Sequence, residues 1–183
     1  QSRFAMAQFT GEETTYDDYG LPAKLYGVDV VVEEADKNDI DPTLLVSLIA
    51  VESNWKPHVV SHANACGLTQ VLPKYTKKYG GKDRNLTCDE LKSPNTSIKV
   101  GAKILSYWLH SYARGNKTTA LCGYNAGFRC KGENRNATGI RYAKKVLKYQ
   151  RILKREMRRR KHEDDKHAKN CDRFFFRVGA FCF

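Results

Sequence analysis

Glu52 stands in the stretch LLVSLIAVESNWKP at a position where the apolar pattern calls for another leucine. Asp41 followed by Pro42 reads as an N-cap with proline in the first helical turn, so a helix is expected over 42 to 54. On it Leu45, Leu48, Ile49 and Glu52 recur at i, i+3, i+4 and i+7 and share one face. A carboxylate buried on such a face is held out of its charged form and keeps its proton toward neutrality. A general acid needs that property. The competing reading is structural: Glu52 at the helix end swings out to solvent or pairs with a buried lysine or arginine. Metal chemistry has little to build on. No C-x-x-C occurs, and His58, His62, His110, His162 and His167 do not stand at ligand spacing beside the cysteines. No metal and no cofactor are expected.

The elements that must position Glu52 read as helices. VDVVVEEADKNDI is a short amphipathic helix, KPHVVSHANACG a loop, and LTQVLPKYTKKYG a helix that Pro73 disturbs and Gly80-Gly81 ends. GKDRNLTCDELKS is a turn-rich connector. Pro94 opens a longer helix through NTSIKVGAKILSYWLHSYA, on which Ile98, Ala102, Leu105 and Leu109 recur at helical spacing. A turn at Gly115-Asn116, a short helix over TTALCGYNAG, a second loop and a long basic helix from about 138 to 160 complete the chain. Strand signals are almost absent and no internal repeat is visible, so the expected class is all-α. The expected organisation is an irregular arm over residues 1–20, one domain over 21–150, and a basic, aromatic extension over 151–183.

A chain of 183 residues is long enough for one domain with a proper core plus tails. No apolar window of about 18 residues exists, so no membrane span is expected. The first residues lack the apolar run of a secretory signal and do not begin with Met, which leads us to expect a processed or trimmed chain, or one delivered by another route. The net charge of +12 is unevenly placed: residues 1–140 hold 17 Lys+Arg against 15 Asp+Glu, and residues 141–183 hold 15 against 5. The segment KREMRRRKHEDDKHAK could therefore contact an anionic polymer such as nucleic acid, lipopolysaccharide or teichoic acid, or be a solvated helix with a frayed end. Six cysteines, at 66, 88, 122, 130, 171 and 182, permit disulfides in an oxidising compartment, with fifteen full pairings open. Cys122/Cys130 and Cys171/Cys182 are the pairs closest in sequence, and reduced buried thiols are the other option. Sequons at Asn85, Asn95, Asn116 and Asn136 fit glycosylation or polar turns equally.

Past Glu52 the chain reads ESNWKPHVVSHANACGLTQVLP and, some fifty residues on, ALCGYNAG. This resembles the lytic transglycosylase domain of the soluble-lytic-transglycosylase type, in the lysozyme-like superfamily. The shared pattern is a Glu-Ser, an aromatic and a Pro, a Ser, a Gly-Leu-Met-Gln-like segment ending in Pro, and an Ala-Tyr-Asn-Ala-Gly-like segment, over roughly residues 28 to 150. The resemblance implies that Glu52 is the catalytic acid/base, with Ser61 near the glutamate and the substrate's N-acetyl group. It implies that Gln70 belongs to the sugar-binding groove and that Tyr124 and Asn125 line the cleft opposite the glutamate. Tyr142, in TGIRYAKKVL, matches a tyrosine that reaches back toward the acid, and Asn95 and Gly101 match a structural helix opening. Thr69 replaces the usual Met, Cys66 falls where a small neutral residue is common, and Gly123 stands where Ala is usual, so the lining of the groove is expected to differ.

Glycosidases commonly use two carboxylates. From Ser53 to Gly132 the only acids are Asp83, Asp89 and Glu90, in the connector beside Cys88, which leaves one-carboxylate chemistry. The resemblance supplies it: cleavage of the β-1,4 bond between N-acetylmuramic acid and N-acetylglucosamine in peptidoglycan, with a 1,6-anhydromuramyl product. The alternatives are a goose-type lysozyme hydrolase and a module that docks on peptidoglycan without cutting it. The expected setting is a virion-associated, periplasmic or extracellular protein acting on the cell wall, with protein partners in a phage tail or secretion machine and nucleic acid as a further candidate partner of the basic tail. Trp55 and Trp108 read as core or cleft-wall aromatics.

Overall fold

The computed structural model describes residues 28–132 and 135–178. Their regular elements are helices: α1 (Val28–Lys37), α2 (Pro42–Ser53), α3 (Thr76–Tyr79) after a 3-10 turn (Pro73–Tyr75), α4 (Cys88–Leu91), α5 (Pro94–Ser106), a π-helical segment (Tyr107–Tyr112), α6 (Lys117–Ala126) and α7 (Ala137–Val178). The all-α expectation holds among the described residues.

Helix α2 is the centre of the compact unit Tyr26–Leu153. The Asp41 carboxylate caps it, accepting from the Thr43 amide at 2.9 Å and the Thr43 hydroxyl at 2.5 Å, with Pro42 behind it in the first turn. Asn54 in the left-handed region ends it. The expected single apolar stripe is too narrow a description, because Leu44, Leu45, Val46, Leu48 and Ile49 are all essentially inaccessible and the small polar Thr43 and Ser47 are buried on the remaining side. A helix buried on all sides is one enclosed by others. Glu52 therefore sits at the exit of a core helix.

Helix α7 runs back along α2 and is tied to it at two points. Gln150 Nε2 donates to Thr43 Oγ1 at 2.9 Å and Asp41 Oδ2 at 3.2 Å, at the start of α2, while the Tyr142 hydroxyl donates to Glu52 at its end. Ala143, Val146 and Leu153 fill the core side of α7. Ile98, Ala102 and Leu105 on α5 and Leu109 on the π-helical segment are buried as the spacing predicts, and Ser106 Oγ donates to the Asn38 carbonyl just past the end of α1.

Three readings of the sequence are corrected. LTQVL is not helical: Pro73 starts the short helical piece, as proline does at a first-turn position, and Cys66 instead makes isolated antiparallel bridges with Val60 and Val71. The connector contains α4, opened by a capping box in which the Thr87 hydroxyl accepts from the Glu90 amide and the Glu90 carboxylate from the Thr87 amide. The long basic helix extends to Val178. From Lys154 onward α7 belongs to a second unit, where Arg159 pairs with Glu156 at 3.0 Å and Glu163 at 3.1 Å along the exposed helix. The 1–20 arm, the Cys171/Cys182 pairing and the chain end beyond Val178 lie outside the described residues.

Among the described residues two disulfides are formed, Cys66–Cys88 and Cys122–Cys130, so the second pairing is one of the two closest in sequence and the first is not. Cys66–Cys88 closes a loop of sequence separation 22. Restricting the unfolded chain by a loop of that length is worth about 3 kcal/mol in the chain-entropy treatment. The double substitution Cys66→Ala/Cys88→Ala is accordingly expected to lower the urea midpoint and, because the unfolded chain is released, to leave the transition no shallower than in the parent; an unchanged midpoint would contradict this.

Candidate active site

The loop after α2 is built from backbone bonds and one obligatory glycine. The Ser61 amide donates to the Ala65 carbonyl at 2.9 Å and Ser61 Oγ accepts from the Ala65 amide at 3.0 Å, which closes a tight turn. Gly67 has φ +78°, and a Cβ there would stand 2.0 Å from the Leu91 carbonyl oxygen, so no other residue fits. Gln70, itself at φ 49°, donates from Nε2 to the Val59 and Gly67 carbonyls, both at 2.9 Å. Its amide nitrogen braces the loop while the residue lines the groove.

Thr69, where methionine was expected, is fully buried. Its hydroxyl donates to the Ser97 carbonyl at 2.8 Å, its amide donates to Ser97 Oγ at 3.1 Å, and its carbonyl accepts from the Tyr124 hydroxyl at 2.8 Å. One small polar residue thereby joins the loop to α5 and α6. Gly123, where alanine was expected, lies against Trp108: a Cβ would come 2.3 Å from its ring. Trp108 itself is buried in the groove wall.

Around Glu52 these elements leave a groove of about 500 Å³, lined by Glu52, Ser61, Gln70, Tyr124 and Asn125 together with aromatic side chains of α3, the π-helical segment and Phe128. A second cavity of about 360 Å³ shares Glu52 and Asn125 with the first and is completed by Thr138, Arg141, Tyr142 and Lys145. Five of the six residues singled out from the sequence thus line one groove, and Tyr142 lies in the adjoining cavity. Glu52 Oε1 accepts from the Tyr142 hydroxyl at 2.5 Å. Burial pushes the Glu52 carboxyl up to about 7, against the opposing pull of the Tyr142 hydrogen bond and the Lys145 charge. Burial and the neighbouring Glu52 charge hold the Tyr142 phenol well above its ordinary value, so it is a neutral donor. Among the described residues lining the two cavities Glu52 is the sole acid.

Two sets of lining residues were not singled out from the sequence. Tyr75 and Tyr79 stand at i, i+4, which is a helical-face signal; Trp108, read as a core or cleft-wall aromatic, is in the groove wall, and the π-helical winding that turns it and Tyr112 toward Phe128 carries no comparable mark. Arg141 and Lys145 were read only as part of a basic helix.

A helical domain with one buried, protonatable carboxyl at the exit of its core helix, facing a groove, is of the lysozyme-like kind. The profile of the Transglycosylase SLT domain matches residues 29–147, and the chain belongs to that family. Curated relatives include the membrane-bound lytic murein transglycosylase E of Buchnera aphidicola, 31% identical over 83 residues (43% of this chain, 38% of the relative). Another is the endo-type membrane-bound lytic murein transglycosylase A of Cronobacter sakazakii, 34% identical over 80 residues (42% and 39%). The chain thus spans well under half the length of these relatives. Its fold is shared with an inactive mutant of the lytic transglycosylase Slt of Pseudomonas aeruginosa, with TM-score 0.64 at 22% identity, covering 78% of this chain and 26% of that one. The 70-kDa soluble lytic transglycosylase of Escherichia coli gives 0.60 at 23%, covering 70% and 24%.

Proposed function

We propose that the protein is a peptidoglycan lytic transglycosylase that cuts the β-1,4 bond between N-acetylmuramic acid and N-acetylglucosamine and leaves a 1,6-anhydromuramyl end. The observation that carries this reading is Glu52: a single carboxyl, protonated up to about neutrality, in a groove whose described lining offers no second acid. In the first step Glu52 gives its proton to the glycosidic oxygen as the bond from that oxygen to the muramic anomeric carbon breaks. The substrate's own acetamido oxygen offsets the positive charge left behind, held in place by Ser61 and Asn125. Glu52, now a carboxylate, takes the proton of the muramic 6-hydroxyl, whose oxygen bonds to the anomeric carbon. The attack is intramolecular, so proximity stands in for a water-activating carboxylate. Gln70 and Tyr124 shape the groove, and Tyr142 positions the acid.

The names of the relatives, lytic murein transglycosylases, support this substrate class. We extend the proposal to the setting: local opening of the cell wall, from the virion or from the periplasmic or extracellular side, for a phage tail or secretion-type assembly. The two disulfides suit an oxidising compartment. Among the described residues no helix is long and apolar enough to cross a membrane. Mass spectrometry of fragments from purified peptidoglycan tests the chemistry. Anhydro ends, lighter by one water and non-reducing, are expected; reducing ends would make the protein a hydrolase of the goose-type lysozyme kind, and no fragments would make it a docking module.

A further inference from the structure

The second cavity adjoins the groove through Glu52 and Asn125, and its chemistry is different. Where the groove is walled by tyrosine, tryptophan and small residues, this cavity carries two cations, Arg141 and Lys145, one turn apart on α7. Both are exposed, and neither has a structural duty that requires a charge. Arg141 Nη2 donates to the neighbouring Thr138 hydroxyl at 3.2 Å, and the one acid lining the cavity is Glu52. Exposed cations on a helix are ordinarily dispersed among acids, yet from Arg135 to Arg155 this chain has no Asp or Glu. Lys144 and Lys148 add to the same positive field along α7. A polymer lying in the groove meets both cavities, because Glu52 and Asn125 belong to both.

We propose that Arg141 and Lys145 form a carboxylate-binding site beside Glu52, which takes an anionic group of the peptide carried by the muramic acid and so selects peptide-bearing strands over neutral glycan. The proposal rests on the reading of the chain as a peptidoglycan-cutting enzyme, but it concerns recognition and is readable without turnover. A guanidinium and an ammonium converging on one cavity suit a carboxylate, which accepts from both. Since both cations are exposed, the gain is modest and screened by salt.

The test uses soluble, uncrosslinked peptidoglycan strands, either untreated or with their carboxylates converted to neutral amides by carbodiimide coupling to ammonia. Binding is measured at pH 5 and low salt on the full chain carrying Glu52→Gln, so that neither cleavage nor titration of the acid enters. The untreated strands should bind roughly five- to tenfold more tightly than the amidated ones, as two exposed charge pairs would give. Adding Arg141→Gln and Lys145→Gln should bring that ratio close to one while leaving affinity for the amidated strands in place. A ratio near one before the cations are removed, or a ratio that survives their removal, overturns the proposal. An equal loss on both strands does so too, since it means the two residues act through the fold. Failure of the cleavage reading would show separately, as the absence of fragments from wild-type digests.

Discussion

Glu52→Gln is expected to abolish cleavage and at the same time to yield a more stable protein. The loss should be roughly 10³-fold or more in turnover, because one group serves as acid and then as base and each such role is commonly worth about 10²–10⁴-fold. Glutamine keeps the shape and can still accept from Tyr142, so the groove should persist. The gain in stability follows from the same burial that makes the acid useful. The folded carboxyl titrates near 7 and the unfolded one near its ordinary 4.5, so between those values the folded state binds more protons. Stability contributed at this site therefore falls as pH rises through that window, and the cost is complete above about 7. It amounts to something on the order of 3 kcal/mol, taken from the separation of the two values. The melting temperature of the glutamine variant should match that of the parent near pH 4 and exceed it increasingly toward pH 8. A difference that is flat across this range would mean that Glu52 is not held protonated by burial.

Tyr142→Phe should give the second-largest effect, with a signature that mere loss of packing would not produce. The hydroxyl donates to the carboxylate and so favours its charged form, and removing it must raise the carboxyl further above 7. The alkaline limb of the pH–rate profile, where the acid loses its proton, should therefore move to higher pH in the phenylalanine variant. The maximal rate should drop about 10- to 100-fold, as expected when a hydrogen bond to a charged group of about 1.5–3 kcal/mol is lost. A fall in rate with the limb unmoved would assign Tyr142 a purely steric part.

Much of this was legible in the residues. The Asp41-Pro42 start and the i, i+3, i+4, i+7 spacing up to Glu52 are local features whose physics acts within a few residues, and the helix they imply is present. The convergence of Ser61, Gln70, Tyr124 and Asn125 on one groove was legible only through their joint order, which carries a resemblance that no single residue does. What failed was decided by distant contacts. Pro73 can break a helix or begin one, and the Cys66 bridges to Val60 and Val71 settle which. The partner of Cys66 depends on how far the loop folds back toward α4, which spacing does not express. Thr69 looked like a substitution in the groove lining, whereas it is an internal joint whose value lies in three hydrogen bonds to Ser97 and Tyr124. Arg141 and Lys145 merged into a run of positive charge because nothing nearby in sequence tells that two of its members overlook Glu52.

The two ties between α2 and α7 set more than a distance. Gln150 and Tyr142 are eight residues apart, about 12 Å and a little over two turns along an α-helix, so they project from α7 about 80° apart, within the one broad side that meets α2. Slippage of α7 by a single residue would rotate that side by about 100° and carry the phenol away from the acid. The glutamine at one end thus works as an indexing pin for the tyrosine at the other, and a change made at Thr43, far from any sugar, should be felt as mistiming of a proton.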